Sequence, residues 1–193
     1  MKLRRVFLSA ALALLLLLGG CAGKKDSLTF LHERASAPGQ TLVSYDVRIG
    51  SEVGEATVVA ELWENGTCTQ SAPLPLCAGT EKLSVSFLPD GGAPQAGYTD
   101  VSVQMRAGEN AVPAHFALPD GVSGTLFSAY RDGETLPVSA GEAKVLCAMA
   151  FDTGSGVPDI DCAALSVSPD APPEHPCLLI VRAEFAGVPA NRR

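Results

Sequence analysis

Beyond residue 27 the apolar positions of the chain fall in short β-rich runs, and in several of them every second residue is hydrophobic. Leu83, Val85 and Phe87 alternate with Ser84 and Ser86; Val101, Val103 and Met105 alternate with Ser102, Gln104 and Arg106. A period of two puts successive side chains on opposite faces of an extended strand, leaving one face for a core and one for water. Such runs predict strands over Leu28–His32, Thr41–Ile49, Ala56–Trp63, Lys82–Leu88, Tyr98–Arg106, Ala114–Leu118, Gly124–Tyr130, Glu134–Val138, Ala143–Phe151 and Cys177–Phe185. Gly, Pro, Asn and Asp separate them, and no helical period intervenes. About ten strands with one buried and one wet face predict an all-β fold, an antiparallel β-sandwich.

Two stretches repeat one order of features. In the first, Ala56–Trp63 leads to Glu64-Asn65-Gly66, Ala78-Gly79, a strand ending at Phe87, and Pro89-Asp90-Gly91. In the second, Gly124–Tyr130 leads to Arg131-Asp132-Gly133, Ala140-Gly141, a strand ending at Phe151, and Asp152-Thr153-Gly154. Asn-Gly and Asp-Gly are strong hairpin signals because both central residues of a type I′ turn take positive φ. The likeness is either a duplication or the shared chemistry of two hairpins; either way the expectation is two similar β halves sharing a core.

The N-terminus breaks the pattern. Met1–Arg5 is basic, and Val6–Leu18 is an apolar run of 13 residues, short of the roughly 20 that a spanning helix needs. This reads as a secretory signal. Leu18-Gly19-Gly20-Cys21 then resembles the lipobox of bacterial lipoproteins: an aliphatic residue, two small ones and a cysteine. The resemblance implies cleavage before Cys21, a diacylglyceryl thioether on its sulfur, and N-acylation in organisms that perform it. Residues 1–20 are then a lipoprotein signal peptide, 21–27 a lipidated terminus and short tether, and 28–193 the sandwich domain. Two acyl chains hold a protein stably at a membrane, and Lys24 and Lys25 would lie against anionic headgroups. The expected location is the extracytoplasmic face of the cell membrane.

With 47% hydrophobic residues the chain is not disordered. Three of its 14 basic residues (Lys2, Arg4, Arg5) precede the apolar run, leaving 11 against 21 acidic ones, a charge of −10. An acidic body without a Lys/Arg cluster is no nucleic-acid binder. Export permits disulfides. Five of the six cysteines lie beyond Cys21; the pairs expected are Cys68 with Cys77 and Cys162 with Cys177, each flanking a proline-containing excursion. Cys147 is left as a buried thiol on the face of Val145, Met149 and Phe151; its bonding to Cys162 or Cys177 is the alternative connectivity. Cys-x-x-Cys is absent and His32, His115 and His175 lack ligand spacing, so no metal site and no cofactor is expected.

Phe151-Asp152-Thr153-Gly154-Ser155-Gly156 resembles the catalytic turn of aspartic proteases. That chemistry needs two aspartates sharing a proton. A second Asp-Thr-Gly is lacking, so a hydrolase using Asp152 would have to assemble its site in a dimer. Asp152, Asp159 and Asp161 are candidate calcium ligands, out of step with the twelve-residue calcium loop. Neither a Gly-x-Ser-x-Gly elbow nor a phosphate-binding glycine loop occurs. Trp63 and Tyr130 precede their turns, with Tyr45 and Tyr98 elsewhere, as either the cover of the core's ends or a binding rim. The reading is a non-catalytic, membrane-anchored binding or assembly module. Its partner would be an envelope protein, a wall polymer or a small molecule; the aspartic-protease-like hydrolase is the alternative.

Overall fold

Each alternating run becomes a strand in the computed structural model, which describes residues 26–37, 39–50, 53–77, 79–90, 97–154, 156, 159–165 and 175–187. The strands are β1 (Ser27–Ala37), β2 (Gln40–Ile49), β3 (Val53–Glu64), β4 (Thr67–Leu76), β5 (Gly79–Asp90), β6 (Asp100–Ala107), β7 (Asn110–Ala117), β8 (Gly124–Ala129), β9 (Thr135–Pro137), β10 (Ala143–Asp152) and β11 (Cys177–Gly187). They form a six-stranded sheet, β7-β6-β5-β2-β1-β9, and a five-stranded sheet, β4-β3-β11-β10-β8. All pairings are antiparallel. The protein is an all-β sandwich.

The inward faces are those the alternation marks. Val43, Tyr45 and Val47 of β2, Leu83, Val85 and Phe87 of β5, and Val101, Val103 and Met105 of β6 meet Val58, Ala60 and Leu62 of β3 and Leu179, Val181 and Ala183 of β11 in one core. The alternation that fixes these faces also fixes register, since a one-residue slip would turn every core residue to water. At Asn65-Gly66 both residues take positive φ (48° and 76°), which closes the β3–β4 hairpin as the sequence predicts.

Strand β4 was not predicted. Its sequence, Thr-Cys-Thr-Gln-Ser-Ala-Pro-Leu-Pro-Leu, carries Pro73 and Pro75, which cannot donate to a ladder. It is an edge strand, paired only with β3, where proline is tolerated and discourages pairing with another chain. Gln70 ties this edge to β7 of the other sheet. Its amide nitrogen donates to the Ala117 carbonyl (2.8 Å), and its oxygen accepts from the Ala117 N–H (3.1 Å).

The two resembling stretches are built differently, as hairpins with like turn chemistry would be. In the first, the Asn-Gly turn makes a hairpin within one sheet and the chain then crosses to β5. In the second, the Asp132-Gly133 turn carries the chain out of the five-stranded sheet to β9, beside β1, before it returns to pair β10 with β8. Local turn chemistry is shared; strand partnership is not.

Candidate functional site

Asp26, the first described residue, is buried. Its carboxylate accepts from the Gly50 and Val53 backbone N–H groups, and its carbonyl accepts from Val138 N–H at 3.3 Å. Four segments, at the ends of β2 and β9 and the starts of β1 and β3, are gathered on one residue. Asp26 stands five residues after Cys21 in the sequence. Cys21, Lys24 and Lys25 themselves lie outside the described residues.

Cys68, Cys77, Cys162 and Cys177, expected in disulfides, are free thiols in this structure, and their places in the fold set them apart. Cys68 and Cys77 are exposed thiols at opposite ends of β4. Nine residues of strand separate them by ~30 Å, against the roughly 4–7 Å between Cα atoms that a disulfide requires. The proline-containing stretch between them is strand β4 itself. Cys177 points into the main core, alongside Leu179 and Val181. Cys162 lies on the other face of the same sheet, against Ala148, Ala150, Leu178 and Ile180. Its sulfur donates to the Ser128 carbonyl at 3.2 Å. Burial pushes the Cys162 thiol up to about 11 and the Cys177 thiol up to about 12.

Cys147 is buried in the main core. A bulge at Leu146 interrupts the β10–β11 register between Val145 and Cys147. Leu146 and Cys147 both face inward while Val145 turns to the outer face, so Cys147 shares its face with Met149 and Phe151 but not with Val145. The extra residue of a bulge leaves the ladder. Here the Leu146 carbonyl is taken by the Tyr45 hydroxyl, which donates to it across the sandwich.

Asp152 ends β10 opposite Gly124. One of its carboxylate oxygens accepts from the Gly154 N–H (2.8 Å) and the Gly156 N–H (3.0 Å), an Asx-type turn that organises its own loop. Asp161 does the same for Ala163 at 2.9 Å. Among the described residues no group of three or more His, Cys, Asp or Glu side chains converges as metal ligands would, so Asp152, Asp159 and Asp161 are not brought together.

The aromatic side chains divide. Tyr45 is in the core, edge-on to Phe30 with ring centroids 5.2 Å apart. Trp63 is buried on the outer face of the five-stranded sheet with Leu178 and Ile180. Its indole N–H donates to Glu61 at 3.1 Å. Glu61, itself buried, also accepts from Arg182 at 2.8 Å, and Arg182 reaches Glu184 at 2.7 Å. This charged network was not legible in the sequence, where Glu61 and Arg182 are 121 residues apart. Tyr130 is half-buried beside a cleft of about 560 Å³ that Arg131, Asp132, Glu134 and Asp161 also line. Burial, ahead of the Cys162 charge, raises its phenol to about 12. A second cleft, about 420 Å³, opens between Glu55 and Thr57 on β3, Glu184 on β11 and Glu142 before β10. Both are open and acidic.

No family model, curated protein or solved structure matches the chain.

Proposed function

We propose that this chain is a lipid-anchored, extracytoplasmic protein whose β-sandwich serves as a non-catalytic binding or assembly module at the cell envelope. The observation that carries the reading is the register of the N-terminal features. The basic residues, the apolar run and Leu18-Gly19-Gly20-Cys21 follow in order, and five residues later Asp26 pins the start of the fold. Five extended residues reach ~17 Å, so a lipid on Cys21 would hold the sandwich at the bilayer surface. The non-catalytic part rests on the Asp152 carboxylate, which is engaged by its own loop. The partner is an envelope protein, a wall polymer or a small molecule, and the acidity of both clefts favours one carrying positive charge.

Detergent phase partitioning of the expressed full chain tests the anchor. The processed protein should enter the detergent phase, whereas Cys21→Ser should accumulate as unprocessed precursor. Processing of the Cys21→Ser chain at the same site would count against the reading.

A further inference from the structure

The register brings together three basic residues that are scattered in the sequence, Arg48, Lys82 and Arg106, and sets Arg34 on the same face ~20 Å from Arg48. Arg34 on β1, Arg48 on β2, Lys82 on β5 and Arg106 on β6 all project from the outer face of the six-stranded sheet, and all four are exposed. They are four of the seven lysines and arginines among the described residues, which carry 18 Asp and Glu. Arg106 lies opposite Ser84, next but one to Lys82 on β5; Lys82 lies opposite Asp46, next but one to Arg48 on β2. One strand over and two residues along is ~8 Å, so Arg48, Lys82 and Arg106 make a diagonal line with that spacing. None of the four takes part in an ion pair among the described residues. Ser44 and Ser84 lie beside this line, while Leu42, opposite Arg34 and Ser86, and the exposed Leu88, opposite Ser102, stand in the other half of the face. Asp46 is the carboxylate within the patch; Asp90 and Asp100 stand at the far end of the same face.

Position gives the patch its partner. Arg48 pairs directly with Ser27, the first residue of β1, so the basic half of the face adjoins the point where the chain from Cys21 enters the fold. Lys24 and Lys25 extend the same charge toward Cys21. We propose that the outer face of the six-stranded sheet, through Arg48, Lys82 and Arg106, lies on the anionic headgroups of the membrane that holds Cys21. The acidic clefts and the outer face of the other sheet are thereby turned outward. The inference rests on the anchored reading above.

The charge balance allows this despite the acidic body. Packed sheets are ~10 Å apart, so carboxylates beyond the second sheet stand well outside the ~8 Å over which charge is felt at physiological salt. Each basic group near an anionic surface contributes roughly a fivefold preference. A short anchor holds the domain where that preference can act.

The mature lipidated protein would be reconstituted on phosphatidylcholine vesicles and on vesicles containing phosphatidylglycerol, then exposed to an amine-acylating reagent. Acylation of Lys82 and Lys144 is read by mass spectrometry. Lys144, on β10 of the opposite sheet near the tether end, reports a domain standing on that end. Lys82 should react severalfold more slowly on the anionic vesicles and Lys144 at an unchanged rate. High salt and the variant R48E/R106E should each abolish the difference, and Ser84→Glu should weaken it. Equal Lys82 rates on both vesicles, or parallel slowing of Lys82 and Lys144, would overturn the proposal. Flotation separates the two claims. Flotation with phosphatidylcholine alone supports the anchor whatever Lys82 does. Flotation only with anionic vesicles, with Lys82 protected, would refute the anchor and keep the face; no flotation with either would refute both.

Discussion

Replacing Tyr45 by Phe removes one oxygen atom from the centre of the sandwich and leaves the ring. Tyr45 is fully buried, and its hydroxyl serves the carbonyl that the bulge at Leu146 withdraws from the β10–β11 ladder. The ring's contact with Phe30 survives, so no large cavity forms. The loss is a hydrogen bond with a net worth of ~1 kcal/mol and a buried carbonyl left unpaired at ~1–3 kcal/mol, together about 2 kcal/mol. In a domain of this size that lowers Tm by roughly 4–8 °C. The same residue sets a pH signature. Burial holds the Tyr45 phenol far above its ordinary value near 10 in the folded state. A raised folded-state pKa means the stabilisation is complete below pH 10 and declines above it, because the unfolded chain then sheds a proton that the fold retains. The decline is ~1.4 kcal/mol per pH unit, and the phenylalanine variant, having no phenol to titrate, shows none of it. The deficit of Tyr45→Phe should therefore narrow above pH 10 and close near pH ~11.5. Urea titrations at pH 7, 9 and 10.5, with unchanged denaturant slopes, measure this. A deficit below ~0.5 kcal/mol at pH 7, or one independent of pH, would refute the role given to the hydroxyl.

Three further outcomes follow from the same structure. Arg182→Met strands the buried Glu61 carboxylate and should cost about 3 kcal/mol in urea unfolding; adding Glu61→Gln, which keeps an acceptor for Trp63, should recover most of it. In the folded protein a thiol reagent should modify Cys68 and Cys77 promptly and Cys147, Cys162 and Cys177 only on unfolding. With thiols at Cys162 and Cys177 held at about 11 and about 12, stability should fall as pH rises past ~9 in urea titrations, whereas a Cys162–Cys177 disulfide would leave that arm flat. Asp152→Ala removes the acceptor for Gly154 and Gly156, which should cost about 1 kcal/mol while leaving the circular dichroism of the sandwich intact.

Strands such as β2, β5 and β6 were legible because a half-buried strand writes its burial into every second residue, whereas β10 and β11, buried on both faces, show as continuous apolar runs. Strand β4 was not legible, because an edge strand with exposed Thr67, Cys68 and Thr69 and two prolines has no core face strong enough to show. That single omission produced the expected Cys68–Cys77 bond. Alternation also assigns faces without naming partners, so it could not show that β3 and β5 belong to different sheets, or that Cys162 and Cys177 lie on opposite faces of one. Nor does it register a bulge, which is why Val145 was placed with Cys147. The basic face was hidden for the same reason: Arg48, Lys82 and Arg106 span 58 positions of an acidic chain and become neighbours only through strand register. Signal and lipobox, by contrast, are linear features that a sequence carries in full.

Lipid on Cys21 is the claim from which location, orientation and the outward-facing clefts all descend. Cells expressing the full chain would be fed a clickable fatty acid, and the protein isolated and its label measured, for wild type and for Cys21→Ser. Wild type should carry label on the peptide that begins at Cys21 and Cys21→Ser should carry none. Wild type without label, or label that persists in Cys21→Ser, would contradict the account.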